Sequence, residues 1–121
     1  MIQQEWIAQQ IQTLVQFVAR LFFGKDTIEY QIVDVENLTE TDRLFNEINR
    51  LLDDNKIGEA ENLLFENIDQ SDHRYLLLAI AFYQRINRFS DEELEEADFS
   101  RDEVYSGLMD IVQEYGLPKI I

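Results

Sequence analysis

The sequence predicts an all-α protein, built either from antiparallel helical hairpins or as a bundle with a long N-terminal amphipathic helix. Apolar residues recur at intervals of three and four along most of the chain. Residues typical of helix starts and ends separate these runs. The length of 121 residues and the 45% hydrophobic content fit one domain, 1–121, in which a first helix (1–24) packs on or extends from a helical core (39–117).

The first helix is almost free of charge and ends near Gly24. A seam with coiled-coil spacing runs along it, formed by Ile7, Ile11, Leu14, Val18 and Leu21. The stripe is widened by Trp6, Val15, Phe17 and Phe22. Such a stripe packs inside the domain, binds a second copy or lies on a membrane surface. The polar side is mostly Gln rather than the Lys and Arg that membrane surfaces favour, so the first two roles are preferred.

Residues 26–38 are ambiguous. Ile28, Tyr30 and Ile32 alternate as in a strand, whereas Ile28, Ile32 and Val35 also match helical spacing. A single strand with no partner would leave its backbone groups unpaired, and no other segment shows strand alternation. We therefore predict a helix or an irregular connector here.

The next two helices form a predicted hairpin. Thr39 or Thr41 caps a helix that continues to the polar turn 53–56, and a second helix follows from Gly58 to Ile68. Helices joined by so short a turn are antiparallel neighbours.

Residues 75–83 form the most apolar helix of the chain. Ser71 and Asp72 precede it as candidate caps, and its apolar side chains point to almost every side. We therefore expect this helix to occupy the centre of the domain.

The last part of the chain carries two capping boxes, at Ser90–Glu93 and Ser100–Glu103. The first opens a short acidic helix and the second opens the last helix. Gly116 at the C′ position and Pro118 just beyond it end that helix.

The hairpin spacing resembles that of a tetratricopeptide repeat. The matching positions are Leu44, Leu51, Asn55, Ile57, Ala60 and Leu64. In that family a small residue at the position of Ala60 lets the two helices approach closely. Ile48 stands where the family usually has Gly, and no clean second copy follows at the expected period.

Over most of its length the chain also resembles a family of small, acidic, helical bacterial proteins of unknown function. The resemblance is carried by Arg20–Lys25 after a Gln-rich helix, by Lys56–Phe65, and by Ala97–Ser100 with Tyr115–Gly116. It implies a bacterial cytoplasmic protein with a tetratricopeptide-like helical fold, and it carries over no catalytic residue.

Composition argues against several chemistries. The net charge of −15 opposes binding to nucleic acid, and the absence of cysteine removes thiolate chemistry. No glycine-rich loop is available for phosphate. The acidic run Glu92, Glu93, Glu95 and Glu96 fits a solvated helix face better than a metal or acid–base site, and the single histidine, His73, fits an exposed or capping position. We therefore expect no enzyme activity, no cofactor and no metal.

The function that the sequence favours is a non-catalytic protein–protein interaction or self-association module. The candidate interaction surface consists of Trp6, Ile7, Ile11, Leu14, Phe17, Val18, Leu21 and Phe22. The expected partner is another protein or a second copy, with a homo-oligomer preferred. An acidic mimic of nucleic acid that occupies a basic protein site is the alternative. Neither an export signal nor a membrane-spanning segment is expected, which favours the cytoplasm.

Overall fold

A computed structural model describes residues 2–116, with side chains from Gln4 onwards. The six helices are α1 (Ile2–Phe23), α2 (Glu40–Asp53), α3 (Ile57–Glu66), α4 (His73–Asn87), α5 (Asp91–Glu96) and α6 (Arg101–Glu114). Residues 2–116 contain no strand, and the all-α prediction is confirmed. Residue 117, the predicted end of the core, and Pro118 lie outside the described residues.

The centre of the domain is α4, which packs against α1, α2 and α6. Its side chains from Tyr75 to Ile86 are mostly buried, on several sides of the helix. Asn87 at its end donates a hydrogen bond to the carbonyl of Ala8, and His73 at its start stacks edge-on against Phe22. Helices α1 and α4 therefore run antiparallel along each other.

Only part of the predicted seam of α1 is buried. Ile7, Ile11, Leu14 and Val18 lie in the core, whereas Leu21 is 56% exposed. A straight α-helix drifts by about 20° per heptad from a strict seven-residue repeat. Two heptads after Ile7, this drift has carried Leu21 out of the buried face.

Helices α2 and α3 pack as a pair across a three-residue turn. Asn55 in this turn has a φ of 57°, a left-handed conformation that Asn tolerates better than most residues. Ala60 is fully buried, as the close approach of two helices requires. The predicted hairpin of two helices is present, with α3 spanning Ile57–Glu66 instead of 58–68. Its similarity to a tetratricopeptide repeat stays a prediction.

The segment between α1 and α2 is an irregular connector. Ile28 and Tyr30 are buried, while Glu29 between them and Gln31 after them face solvent. This alternation explains the strand-like pattern in the sequence. Side chains of α4 hold the connector instead of a neighbouring strand, because Gln84 donates a hydrogen bond to the Ile28 carbonyl at 3.0 Å.

The helix ends follow the predicted capping chemistry. Thr39, Ser90 and Ser100 each form a capping box with the carboxylate three residues later. Asp72 caps α4 by accepting a hydrogen bond from the backbone N–H of Arg74. Gly116 has a φ of 77°, which suits its position beyond the end of α6.

Candidate functional site

A buried carboxylate joins the connector to α2 and α4. Asp42 is 2% exposed and accepts hydrogen bonds from the Tyr30 hydroxyl at 2.6 Å and from Arg74 Nη2 at 3.0 Å. The Arg74 guanidinium also lies over the Tyr30 ring, 4.6 Å from its centre. Each polar group in this cluster has a partner, so the cluster fixes the connector on the helices.

These contacts shift the ionisation of both groups. The Tyr30 hydroxyl, followed by the backbone N–H of Thr39, lowers the pKa of Asp42 to about 2. Burial and the Asp42 carboxylate raise the pKa of Tyr30 to about 12. Because the pKa of Asp42 is lowered on folding, its stabilising contribution is complete above about pH 4 and is lost as the pH falls towards 2.

A second polar pair lies where α3, α4 and α6 meet. The Tyr83 hydroxyl donates a hydrogen bond to Glu61 Oε2 at 2.7 Å. Burial, together with the nearby Glu103 and Asp110 carboxylates, raises the pKa of Glu61 despite that hydrogen bond. Gly107 of α6 faces the pair, and its missing side chain leaves the room that the pair occupies.

We expect Glu61→Gln to stabilise the protein at neutral pH. The amide oxygen still accepts the Tyr83 hydrogen bond, and the cost of burying a charge disappears. Since folding raises this pKa, the free energy of unfolding of the wild type should fall relative to that of the variant as the pH rises above 4.5, the ordinary value for the group. Urea unfolding between pH 4 and 8 measures the difference.

Glu66→Gln is the matched control, because it removes the same charge from an exposed position of α3. Its effect on the free energy of unfolding should stay within about 0.5 kcal/mol. Equal stability of the wild type and the Glu61→Gln variant at every pH would contradict the assignment of a costly, partly buried charge.

A groove of about 410 Å³ is lined by residues of α5, by the start of α6 with Arg101, and by Gln4 of α1. Arg101 is 5% exposed and donates hydrogen bonds to the carbonyls of Asn87 and Phe89 and to Asp91. The other charged side chains around the groove are acidic. Because its one cation is already occupied by protein groups, the groove offers an anionic substrate no free positive charge.

The acidic residues of α5 and the single histidine do not come together into a cluster that could bind a metal or perform acid–base chemistry. Glu92, Glu93, Glu95 and Glu96 are exposed along α5, and Glu93 serves the capping box of that helix. His73 is exposed beside Phe22. Within the side chains described, from Gln4 to Gly116, no group of three His, Asp or Glu residues is placed to hold a metal ion.

The outer face of α1 is the largest exposed apolar feature on the described helices. Trp6, Phe17 and Leu21 are 61%, 42% and 56% exposed. At about 100° per residue, these three positions fall within about 60° around the helix axis. Gln10 and Thr13 lie between them and are also exposed. We call these five residues the outer face of α1; none of them carries a charge.

The structure divides the predicted interaction surface into two sets. Ile7, Ile11, Leu14 and Val18 pack inside the domain against the other helices. Trp6, Phe17 and Leu21 point away from it, and Phe22 lies half-buried at the edge of the core. Trp6 and Phe17 therefore widen the apolar stripe on the side that faces away from the core and do not extend its buried part.

Sequence reasoning missed the buried polar groups. For Asp42 a signal existed, because it stands three residues after Thr39, as a capping-box carboxylate does. For Arg101 and the partly buried Glu61 no local pattern indicates burial, because their partners come from other parts of the chain; the burial of Tyr83 was expected from its apolar helix, but its pairing with Glu61 was not.

Together these features define a class: an acidic, all-α protein with six helices within residues 2–116, whose first helix exposes three large apolar side chains. The chain belongs to the family of unknown function DUF6483, whose family model matches residues 1–116. Comparison with curated proteins and with solved structures finds no match. None of the helices in the described part of the chain has the length and hydropathy needed to span a membrane.

Proposed function

We propose that this protein is a non-catalytic protein-interaction module and that its contact surface is the outer face of α1. The observation that carries the proposal is the exposure of Trp6, Phe17 and Leu21 on one side of a helix whose opposite side is anchored in the core. A rigid helix that presents an aromatic stripe is a common way for proteins to recognise one another.

The distribution of charge supports the same surface. Residues 1–25 contain one acidic and two basic side chains, Glu5 against Arg20 and Lys25. The other residues contain 24 of the 25 acidic side chains and 8 of the 10 basic ones. A partner that binds the outer face of α1 therefore avoids most of the negative charge on the rest of the protein surface.

The free energy gained by burying the exposed apolar side chains of the outer face is appropriate for a specific but reversible contact. Full burial of a large apolar side chain is worth about 1.5–3 kcal/mol. Trp6, Phe17 and Leu21 each have roughly half of their surface left to bury. Tryptophan is also among the residues that most often dominate binding energy when an interface covers them.

The test is photo-crosslinking in cells that naturally express the protein. A photoreactive phenylalanine analogue at position 17 should give discrete crosslinked products that identify what lies on the outer face. The analogue at Val33, which is 85% exposed on the connector, is the control position.

A second variant shows whether the contact is specific. Trp6→Glu places a charge on the outer face, and the crosslinks from position 17 should then disappear because a charge opposes burial there. Crosslinks that are equally abundant at Val33, or that survive Trp6→Glu, would contradict the proposed surface.

A further inference from the structure

We propose that the outer face of α1 binds the same face of a second copy, with the two helices antiparallel about a two-fold axis close to Thr13. This inference rests on the function proposed above and names the partner. It draws on the spacing of the exposed side chains, on the placement of charge along α1 and on the strong negative charge of the remaining surface.

The spacing of the outer face is symmetric. Trp6 and Leu21 lie at equal distances along the helix from the midpoint between Thr13 and Leu14, and so do Gln10 and Phe17. In an antiparallel pair centred on that midpoint, Trp6 meets Leu21 of the second copy and Phe17 meets Gln10. Each exposed apolar side chain then covers an opposite residue of the other helix, and every contact occurs twice.

The charges on α1 select the antiparallel direction. Glu5 and Arg20 are exposed on the same flank of the outer face, about 60° apart around the axis. Antiparallel pairing brings Glu5 of one copy towards Arg20 of the other, twice. Parallel pairing would place this flank on opposite sides of the contact in the two copies, so Glu5 and Arg20 would not meet a charge of the other sign. In the single chain, Arg20 pairs with Asp26 in an exposed contact at 3.1 Å, which is weak enough to exchange.

The charge on the rest of the chain limits where two copies can meet. With a net charge of −15, two copies repel each other wherever their acidic helices face. The outer face of α1 is uncharged and its helix is nearly neutral, so contact there brings the least like charge together. The 22 residues of α1 span about 33 Å, enough for a helix-to-helix contact at the lower end of specific interface sizes, about 1,000 Å².

Sedimentation equilibrium of the intact chain tests whether a second copy binds. We expect the mass to rise from 14.4 kDa towards twice that value as the concentration increases. Phe17→Glu should stay monomeric over the same range. Val33→Glu makes the same kind of change at an exposed apolar residue away from α1, and it should associate like the wild type. Far-UV circular dichroism checks that both variants keep their helices.

Cysteine crosslinking tests the direction of the pair, since the chain has no cysteine of its own. In the antiparallel arrangement the cysteine of Thr13→Cys lies close to the same cysteine of the second copy, because the two-fold axis passes near this position. Two Leu21→Cys residues lie more than about 20 Å apart. A short bis-maleimide reagent should therefore link two Thr13→Cys chains at least tenfold faster than two Leu21→Cys chains.

Each other outcome overturns the inference. Equal crosslinking at both positions would indicate a parallel pair. A dimer that survives Phe17→Glu would place the interface elsewhere. A monomer at every concentration would exclude a second copy as the partner. The function proposed above would then be tested separately: the crosslinks from position 17 should contain a different protein and should depend on Trp6.

Discussion

Gly107→Ala is expected to lower the free energy of unfolding by about 1–2 kcal/mol. An added Cβ would lie 2.7 Å from Tyr83 Cε1 and would also overlap the Tyr83 hydroxyl and the Glu61 carboxylate. Tyr83 is fully buried and has no room to move. Overpacking a core typically costs about 1–3 kcal/mol, which outweighs the gain of up to about 1 kcal/mol when Gly becomes Ala inside a helix.

Gly58→Ala is the matched control for this prediction. Gly58 also has helical conformation, in the first turn of α3, and a Cβ there would have nothing within 4 Å. This variant should be at least as stable as the wild type, with a gain of up to about 0.5 kcal/mol because the helix-interior effect is reduced in the first turn. Urea titrations of both variants measure the difference, and equal stability of the two would show that α6 does not approach Tyr83 as closely as described.

Arg101→Met should cost about 3 kcal/mol. The guanidinium satisfies carbonyl groups of Asn87 and Phe89, at 2.7 and 3.1 Å, where α4 ends and leaves such groups without helical partners. It also pairs with Asp91 at the start of α5. Methionine fills similar volume but leaves these acceptors buried and unpaired, which costs about 1–3 kcal/mol for each group that water does not reach.

Two further variants separate the loss of the Arg101 hydrogen bonds from the loss of a positive charge. Arg101→Lys keeps the charge but loses the planar fork, so its stability should lie between the wild type and Arg101→Met. Arg50→Met removes an arginine that is paired with Glu47 on the surface, and it should change the free energy of unfolding by less than about 0.5 kcal/mol. Chemical unfolding measures all three; an Arg101→Met variant as stable as Arg50→Met would refute the role given to Arg101.

The helix ends could be predicted from sequence because their chemistry is local. Ser90 and Ser100 each stand three residues before a glutamate, and the structure contains both capping boxes. The sequence offers Thr39 or Thr41 as the cap of α2, and in the structure Thr39 is the cap, because Asp42 completes its capping box. Helix capping involves only residues that are neighbours in the sequence, so the sequence pattern and the structure agree.

The two faces of α1 were harder to predict. A seven-residue repeat and a 3.6-residue helix agree over one or two turns, so Ile7 and Ile11 were placed correctly in the stripe. Over the full length of α1 the two periods diverge, and Leu21 leaves the core. Trp6 and Phe17 lie beside the seam by helical spacing, but spacing alone does not indicate that this side of the seam faces away from the core.

The contacts that join distant residues were beyond sequence reasoning. The room for Glu61 and Tyr83 depends on a glycine in α6, more than twenty residues further along the chain than Tyr83. Likewise, the connector is held by Arg74 and Gln84 through single hydrogen bonds to its carbonyl groups. One sequence contains no signal for such pairings, because they arise only when the helices have packed.

The most direct test of the central claim uses Trp6, the only tryptophan of the chain and part of the outer face of α1. Acrylamide quenching of its fluorescence, measured over a dilution series, reports whether that face is covered. We predict weak quenching at high concentration and strong quenching on dilution, with Phe17→Glu strongly quenched throughout. Strong quenching of the wild type at every concentration would contradict the claim that a second copy covers the outer face of α1.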